Sequence, residues 1–329
     1  MNRRTLIAAL TGVAAFSLAA AAAAQTHDDY PNRPIRIIVP QAAGSGVDQQ
    51  ARVLAQKMGE LWGQQGVVEN RPGANAIVGM EAGAKAAPDG YTLIYAPVSA
   101  VAMNTFIYKK LSYDPLRDFV PITQTVANPL GAVVNPASGI KSIKDVVERA
   151  KASPGHFNYG SFGIGNMTPL MGVLLSIAAD IKMTHVPYRG QTPAITDVLS
   201  GQIPLAFTTT AGVTDLAESG KLTLLATFGQ ERDEQFPNTP TPTEFGYPSV
   251  VIVGWAGMFA PAGTPPHIIS RLHGGMAKAL ASADVKDAIL RHGSKAVSSK
   301  SPAEFERYIR SESQKFHPII KAAGLEGSQ

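Results

Sequence analysis

The sequence predicts an α/β fold built as two similar lobes around mostly parallel sheets. Three observations carry that expectation. Short β-rich runs alternate with stretches whose apolar residues recur at helical spacing, as parallel strands joined by crossover helices require. The chain has 329 residues, too long for one small module and suited to two domains of ordinary size. A strand, a Gly- or hydroxyl-rich loop and a helix follow one another near residue 44 and again near residue 163, as two related lobes would produce.

The elements follow in order. Ile35-Arg36-Ile37-Ile38-Val39 reads as a buried strand, and Val47, Ala51, Leu54, Ala55, Met58 and Trp62 then mark one helix face. Tyr91 to Tyr95 is a strand, followed by a helical stretch from Val101 to Lys109. Ser142 opens a helix with Asp145 three residues on, a capping pattern. Phe157 to Ser161 is a strand, and Pro169 to Ala179 a helix with Thr168 as its expected N-cap. Further strands are Ile203 to Thr208 and Thr223 to Phe228, and Val250 to Phe259 is a long apolar run. Thr264-Pro265 starts a helix through Leu280, and Ser301-Pro302-Ala303-Glu304 caps the last one.

Composition removes several function classes. At 45% hydrophobic the chain is not disordered. The absence of Cys excludes a disulfide framework, thiolate zinc, Fe–S clusters and a Cys nucleophile. Met1-Asn2-Arg3-Arg4 followed by the Ala-rich run Leu6 to Ala24 reads as a cleaved signal peptide over residues 1–24, ending in small residues before Gln25. Alanines are too weakly apolar for a membrane anchor, and no Cys follows to carry a lipid. Loss of Arg3 and Arg4 lowers the net charge from +4 to +2, too balanced for a nucleic-acid footprint. The mature chain is expected in the periplasm.

Four loops follow predicted strands and are built to admit a ligand. In open α/β sheets ligands bind at the carboxyl ends of strands, where helix N-termini present free N–H groups to anions. The first loop, Pro40 to Asp48, offers Gln41, Ala43, Gly44, Ser45, Gly46 and Asp48. The second, Ser161 to Thr168, offers Ser161, Phe162, Gly163, Gly165, Asn166 and Thr168. The third offers Ser99, and the fourth Thr208 and Thr209. Any one loop could be a plain tight turn; four at equivalent strand ends point to a shared anion site. Asp48, in the first helical turn, suits the helix dipole better than a ligand.

Other chemistries fail on spacing. Gly44-Ser45-Gly46 is followed by Gln49, and Gly163-Ile164-Gly165 by Thr168, where a dinucleotide fingerprint needs Gly or Ala. Ser219-Gly220-Lys221 lacks the first Gly and the final Ser or Thr of a P-loop. No His-x-His, His-Glu-x-x-His or Gly-x-Ser-x-Gly occurs, so no metal, cofactor or catalytic residue is nominated. Trp62 continues an apolar helix face and reads as core. Trp255, among small residues, suits a cleft wall or a crossover equally.

The loops and their flanks, in this order, resemble the substrate-binding proteins of tripartite tricarboxylate transporters, the TctC or Bug family. The matching segments span the mature chain. They include Tyr30 to Ile35, Val39 to Asp48, Glu69-Asn70-Arg71-Pro72-Gly73-Ala74 and Ala87 to Thr92. They continue with Tyr113 to Phe119, His185-Val186-Pro187-Tyr188-Arg189-Gly190 and Ala260 to Pro265. The resemblance implies a two-lobed periplasmic binding fold of type II-like form, each lobe a mixed, mainly parallel sheet flanked by helices. Lobe 1 would hold residues 25–125 and 254–329, lobe 2 residues 126–253, with the ligand cleft between them. It implies a monomer that grips a small carboxylate through the first and second loops and delivers it to the permease subunits of a tripartite transporter. Gln41 replaces a common aromatic residue, Ser45 a common Gly and Pro169 a frequent His. Thr208-Thr209-Thr210 replaces a frequent acid or amide, which disfavours an amino acid ligand and favours a di- or tricarboxylate or an aromatic carboxylate. Two alternatives share these residues. One is a sensor that hands its closed form to a signalling partner. The other is an exported enzyme using Ser45, Ser161, Asp48 or His185.

Overall fold

A computed structural model describes residues 30–162 and 167–329. The leader expected over residues 1–24 lies outside the described residues, as do Gly163, Gly165 and Asn166 of the second loop.

The chain starts in a first lobe with β1 (Ile35–Val39), α1 (Gly46–Trp62), β2 (Gly66–Asn70), α2 (Ile77–Ala84) and β3 (Thr92–Pro97). Helix α1 forms where Ser45 accepts the Asp48 N–H and where Ala51, Leu54, Ala55 and Met58 fall on one buried face. It stops at Gly63, whose left-handed backbone closes the last turn. A π-helical turn over Ser99–Met103 and the short α3 (Asn104–Ile107) follow β3. Strand β4 (Phe119–Asn128) then carries the chain to β5 (Leu130–Val134), the first strand of a second lobe. That lobe continues with α4 (Ile143–Ala152), β6 (Phe157–Phe162), α5 (Thr168–Ala179), β7 (Met183–Tyr188) and α6 (Gln191–Leu199). It is completed by β8 (Leu205–Thr209), α7 (Thr214–Glu218) and β9 (Thr223–Thr227). Strand β10 (Gly254–Pro261) returns to the first lobe, followed by α8 (Pro266–Ala281), α9 (Ala283–Arg291), β11 (Lys295–Ala296) and α10 (Pro302–Ala322).

The first sheet has the order β11-β4-β10-β3-β1-β2 and the second β7-β6-β8-β5-β9. β1 runs parallel to both β2 and β3, and β6 parallel to both β7 and β8. The remaining pairings are antiparallel and gather on β10, β4, β11 and β5. Both sheets are therefore mixed, with more antiparallel pairing than strand–helix alternation suggests. The excess lies in the strands that connect the lobes.

The boundary expected after residue 125 falls inside β4, which keeps its pairing with β10 as far as Asn128 opposite Gly254. Pro129 has no N–H to continue the ladder, and the chain changes sheets there. Thr168 departs from expectation. It is the first helical residue of α5 rather than its cap. Its hydroxyl accepts the Phe162 N–H at 3.2 Å and lies 3.1 Å from the Phe162 carbonyl, tying the helix to the end of β6. Among the described residues no helix is long and apolar enough to cross a membrane.

Candidate functional site: a cleft between the two sheets

β1 and β3 are parallel neighbours in the first sheet, as β6 and β8 are through their own pairing in the second. The loops after their carboxyl ends face one cavity of about 440 Å³. All four loops singled out from the sequence reach it. Gln41 and Gly46 enter from the first loop, Ser99 from the third, Met167 from the second and Thr209 from the fourth.

The first loop is held by a reciprocal cap. Asp48 is 2% exposed, and its Oδ2 accepts the Gly44 N–H at 2.8 Å while Ser45 Oγ accepts the Asp48 N–H. Asn70 Nδ2 donates to Asp48 Oδ1 at 2.9 Å, and Arg52 pairs with the same carboxylate at 3.0 Å. Burial raises the Asp48 pKa, but the hydrogen bonds from Arg52, Gly44 and Asn70 outweigh it and hold the group below the ordinary carboxylate value. Asp48 thus shapes the loop, and its charge is spent inside the protein. Gly44 takes φ +80°, a left-handed turn that a side chain would strain. The N–H groups of Gly46 and Val47 begin α1 without an intrahelical acceptor, and both residues line the cavity. Ala43, Gly44 and Ser45 belong to the same loop but not to the cavity wall.

In the second lobe Ser161 and Thr208 are fully buried behind the wall, and Phe162 is half-buried. Ser161 Oγ lies 2.6 Å from His185 Nε2 on the neighbouring strand β7. The His185 ring stacks on Tyr159, and although the residue is exposed, desolvation of the ring lowers its pKa from the ordinary value. Thr209 donates its hydroxyl to Gln191 Oε1 at 2.9 Å.

Several wall residues carry no motif and were missed from sequence. Asn75 stands in a run of three left-handed non-glycine residues, Ala74, Asn75 and Ala76. The two alanines each cost about 1–2 kcal/mol there, whereas Asn tolerates the conformation. A two-way amide pair holds the turn: Asn75 Nδ2 donates to Asn104 Oδ1, and Asn104 Nδ2 to the Asn75 carbonyl. Asn104 follows the π-helical turn that presents Ser99, so two uncommon backbone features meet at one wall. Gln50, Asn128 and Ser294 form the floor, and Trp255, His292 and Leu130 complete it. Trp255, left open between cleft and crossover, is at both. It lines the cavity and is the second residue of β10, the strand that returns to the first lobe. Its Nε1 donates to the buried Glu312 at 3.2 Å. Among the described lining residues there is no Lys, Arg, Asp or Glu; the wall is made of amides, hydroxyls, backbone, the His292 imidazole and apolar surface.

Known proteins share this arrangement. The family model for the tripartite tricarboxylate transporter family receptor, TctC, matches residues 50–325. Protein BugT of Bordetella pertussis is 33% identical over 327 residues, covering 99% of each chain. An R. palustris protein solved with adipate superposes with a TM-score of 0.76 at 28% identity, over 90% of this chain and 99% of its own. MatC of Rhodopseudomonas palustris, solved with bound malate, gives 0.72 at 26% identity, over 88% and 100%. Overall fold and sequence agree along nearly the whole length, and the chain belongs to the TctC family of periplasmic solute-binding receptors.

Proposed function

We propose that this protein captures a small dicarboxylate between its lobes in the periplasm and delivers it, as a monomer, to the permease of a tripartite transporter. The cavity between the sheets carries this reading. Its 440 Å³ lies within the range of small-ligand sites. Gly46, Val47 and Ser99 bring N–H and hydroxyl donors from one lobe, and Thr209 a hydroxyl from the other. A helix N-terminus with free N–H groups attracts an oxyanion without any counter-cation. Closure would leave the Gly46 and Val47 N–H groups unpaired at a cost of about 1–3 kcal/mol each unless the ligand supplied an acceptor, whereas the Thr209 hydroxyl, already bonded to Gln191 Oε1, would have to exchange that partner for the ligand. The cleft therefore favours a solute with carboxylates at its ends over an apolar one. Adipate and malate, held by two neighbours of this fold, are both dicarboxylates and support that class. Binding proceeds by hinge closure, with the ligand released unchanged.

A thermal-shift screen with C4 to C6 dicarboxylates, citrate, aromatic carboxylates and acidic amino acids tests it. A ligand at 100 times its Kd stabilises the native state by about 2.7 kcal/mol. The expected hit is a dicarboxylate, recovered intact. No hit from any carboxylate on folded protein would overturn the reading.

A further inference from the structure

The floor of the cleft ends a chain of hydrogen bonds that begins in the core of the first lobe. Thr125 Oγ1 donates to Tyr95 Oη at 2.9 Å, and Tyr95 Oη donates to Gln50 Oε1 at 3.2 Å. Gln50 Nε2 donates to Ser294 Oγ at 2.8 Å, and Ser294 Oγ to Asn128 Oδ1 at 2.5 Å. Thr125, Tyr95, Gln50 and Ser294 are each at most 4% exposed. Burial drives the Tyr95 ionisation far above its ordinary range, so the phenol keeps its proton and remains a donor.

We infer that Asn128 reads the far carboxylate of the ligand, and that the buried chain fixes which end of its amide faces the cleft. Every bond runs in one direction, toward Asn128. Its carbonyl oxygen is engaged by Ser294, which turns the Nδ2 group outward as the terminal donor. Among the described residues neither Nδ2 hydrogen has an acceptor, and Asn128 lines the cavity. A run of aligned hydrogen bonds polarises its last donor, and an oxyanion is the acceptor that gains most from it. Asn128 is also the last residue of β4, directly opposite Gly254 of β10. A ligand bonded there is anchored where both connections between the lobes pass.

The direction is a real choice. Thr125 Oγ1 lies 3.1 Å from the Ala256 carbonyl as well, so its single proton has a second acceptor. Were Thr125 to use it, the whole chain could reverse and leave the Asn128 carbonyl facing the cleft. That end would select a ligand donor, such as an ammonium group, instead of a carboxylate.

This inference rests on the dicarboxylate reading, and calorimetric titration separates the two. Wild type, N128D, N128A, Y95F and the Y95F/N128A double variant are titrated with adipate, malate and aspartate, with thermal melting as the folding control. N128D is expected to lose about ten- to a hundred-fold in dicarboxylate affinity. N128A is expected to lose about ten-fold. Y95F, whose ring touches no ligand, is expected to lose about three- to ten-fold, and that loss should vanish in the N128A background. A merely structural effect of Y95F would persist there. Unchanged affinity in N128D or N128A, additive losses in the double variant, or a preference for aspartate would overturn the inference while leaving carboxylate capture intact. No binding of any diacid to wild type would overturn both.

Discussion

Ser161 Oγ and His185 Nε2 lie 2.6 Å apart across the parallel strands β6 and β7, with the imidazole stacked on Tyr159. The pair has the residue types of a nucleophile and a base, yet Ser161 is fully buried and takes no part in the cavity wall. The contact locks the end of β6 immediately before the second loop. Desolvation of the ring against Tyr159 lowers the His185 pKa, so the folded protein favours the neutral ring, although solvent at this exposed residue weakens the effect. The resulting stability is fully present above the ordinary value of 6.5 and is lost as pH falls toward the folded pKa. Urea unfolding of wild type and H185Q between pH 7.5 and 5 should show a stability loss on acidification that the variant lacks. Identical slopes would mean that His185 has no such linkage.

Asp48 acts in the same direction but at lower pH. Its folded pKa is depressed by Arg52, Gly44 and Asn70 despite burial. Its contribution is therefore present above the unfolded value and lost as pH falls through the folded one. D48N keeps the volume but removes the charge and one acceptor for Gly44, Asn70 and Arg52. It should cost about 1–2 kcal/mol at neutral pH and flatten the acid limb of the stability curve below about pH 4. Ligand affinity should fall as well, because the loop that carries Gly46 and Val47 loses its brace. A variant with wild-type acid unfolding would remove Asp48 from that role.

The features legible in the sequence were local ones. Ser142 with Asp145 and Ser301 with Glu304 read as caps, and each hydroxyl accepts the N–H three residues on; Ser45 does the same for Asp48, where the sequence suggests only a ligand contact for Ser45 and a dipole role for Asp48. β1 and α1 declare themselves by hydrophobic period. The floor was not legible for a physical reason. Gln50, Asn128 and Ser294 meet only because β10 returns beside β4 and α9 ends against both, over separations of up to 244 residues. Nothing in the local pattern around Ser294 distinguishes it from a surface turn. β7 was obscured because Thr184, His185 and Pro187 are exposed and break the alternation that marks a half-buried strand. Thr168 looked like a cap because it precedes Pro169. Its hydroxyl bonds instead to Phe162, six residues back.

A second, smaller cavity of about 180 Å³ lies on the other face of the hinge. Residues 128 and 130 line the main cleft, whereas Ala127 and Pro129 line the smaller space, as the two-residue period of extended chain demands. Lys295 of the first lobe pairs with Glu234 of the second across it at 2.5 Å. A rotation that narrows one face of the hinge widens the other, so the pair favours the open arrangement. Both side chains are well exposed, and such pairs stabilise by at most about 1 kcal/mol. K295Q should therefore tighten dicarboxylate binding by up to about five-fold at low salt, with the gain fading at high salt. Weaker binding would show that the pair supports the closed form.

Trp255 offers the most direct optical report on the cleft, since only two tryptophans are present. Trp62 packs with the apolar cluster of the first lobe away from the cavity, whereas Trp255 lines it. The indole is held by its bond to Glu312 and by edge contact with Phe305. Glu312 is 4% exposed and is itself braced by Lys315. Ligand binding should change the emission of wild type and of W62F, but not of W255F. E312Q, which can still accept from the indole, should keep most of the response. E312L would leave the Trp255 N–H without its acceptor, at a cost of about 1–3 kcal/mol. Its emission should be altered before any ligand is added, and binding should be weaker because the wall no longer holds one position. A ligand response that survives W255F and disappears in W62F would place the solute somewhere other than the cavity between the sheets.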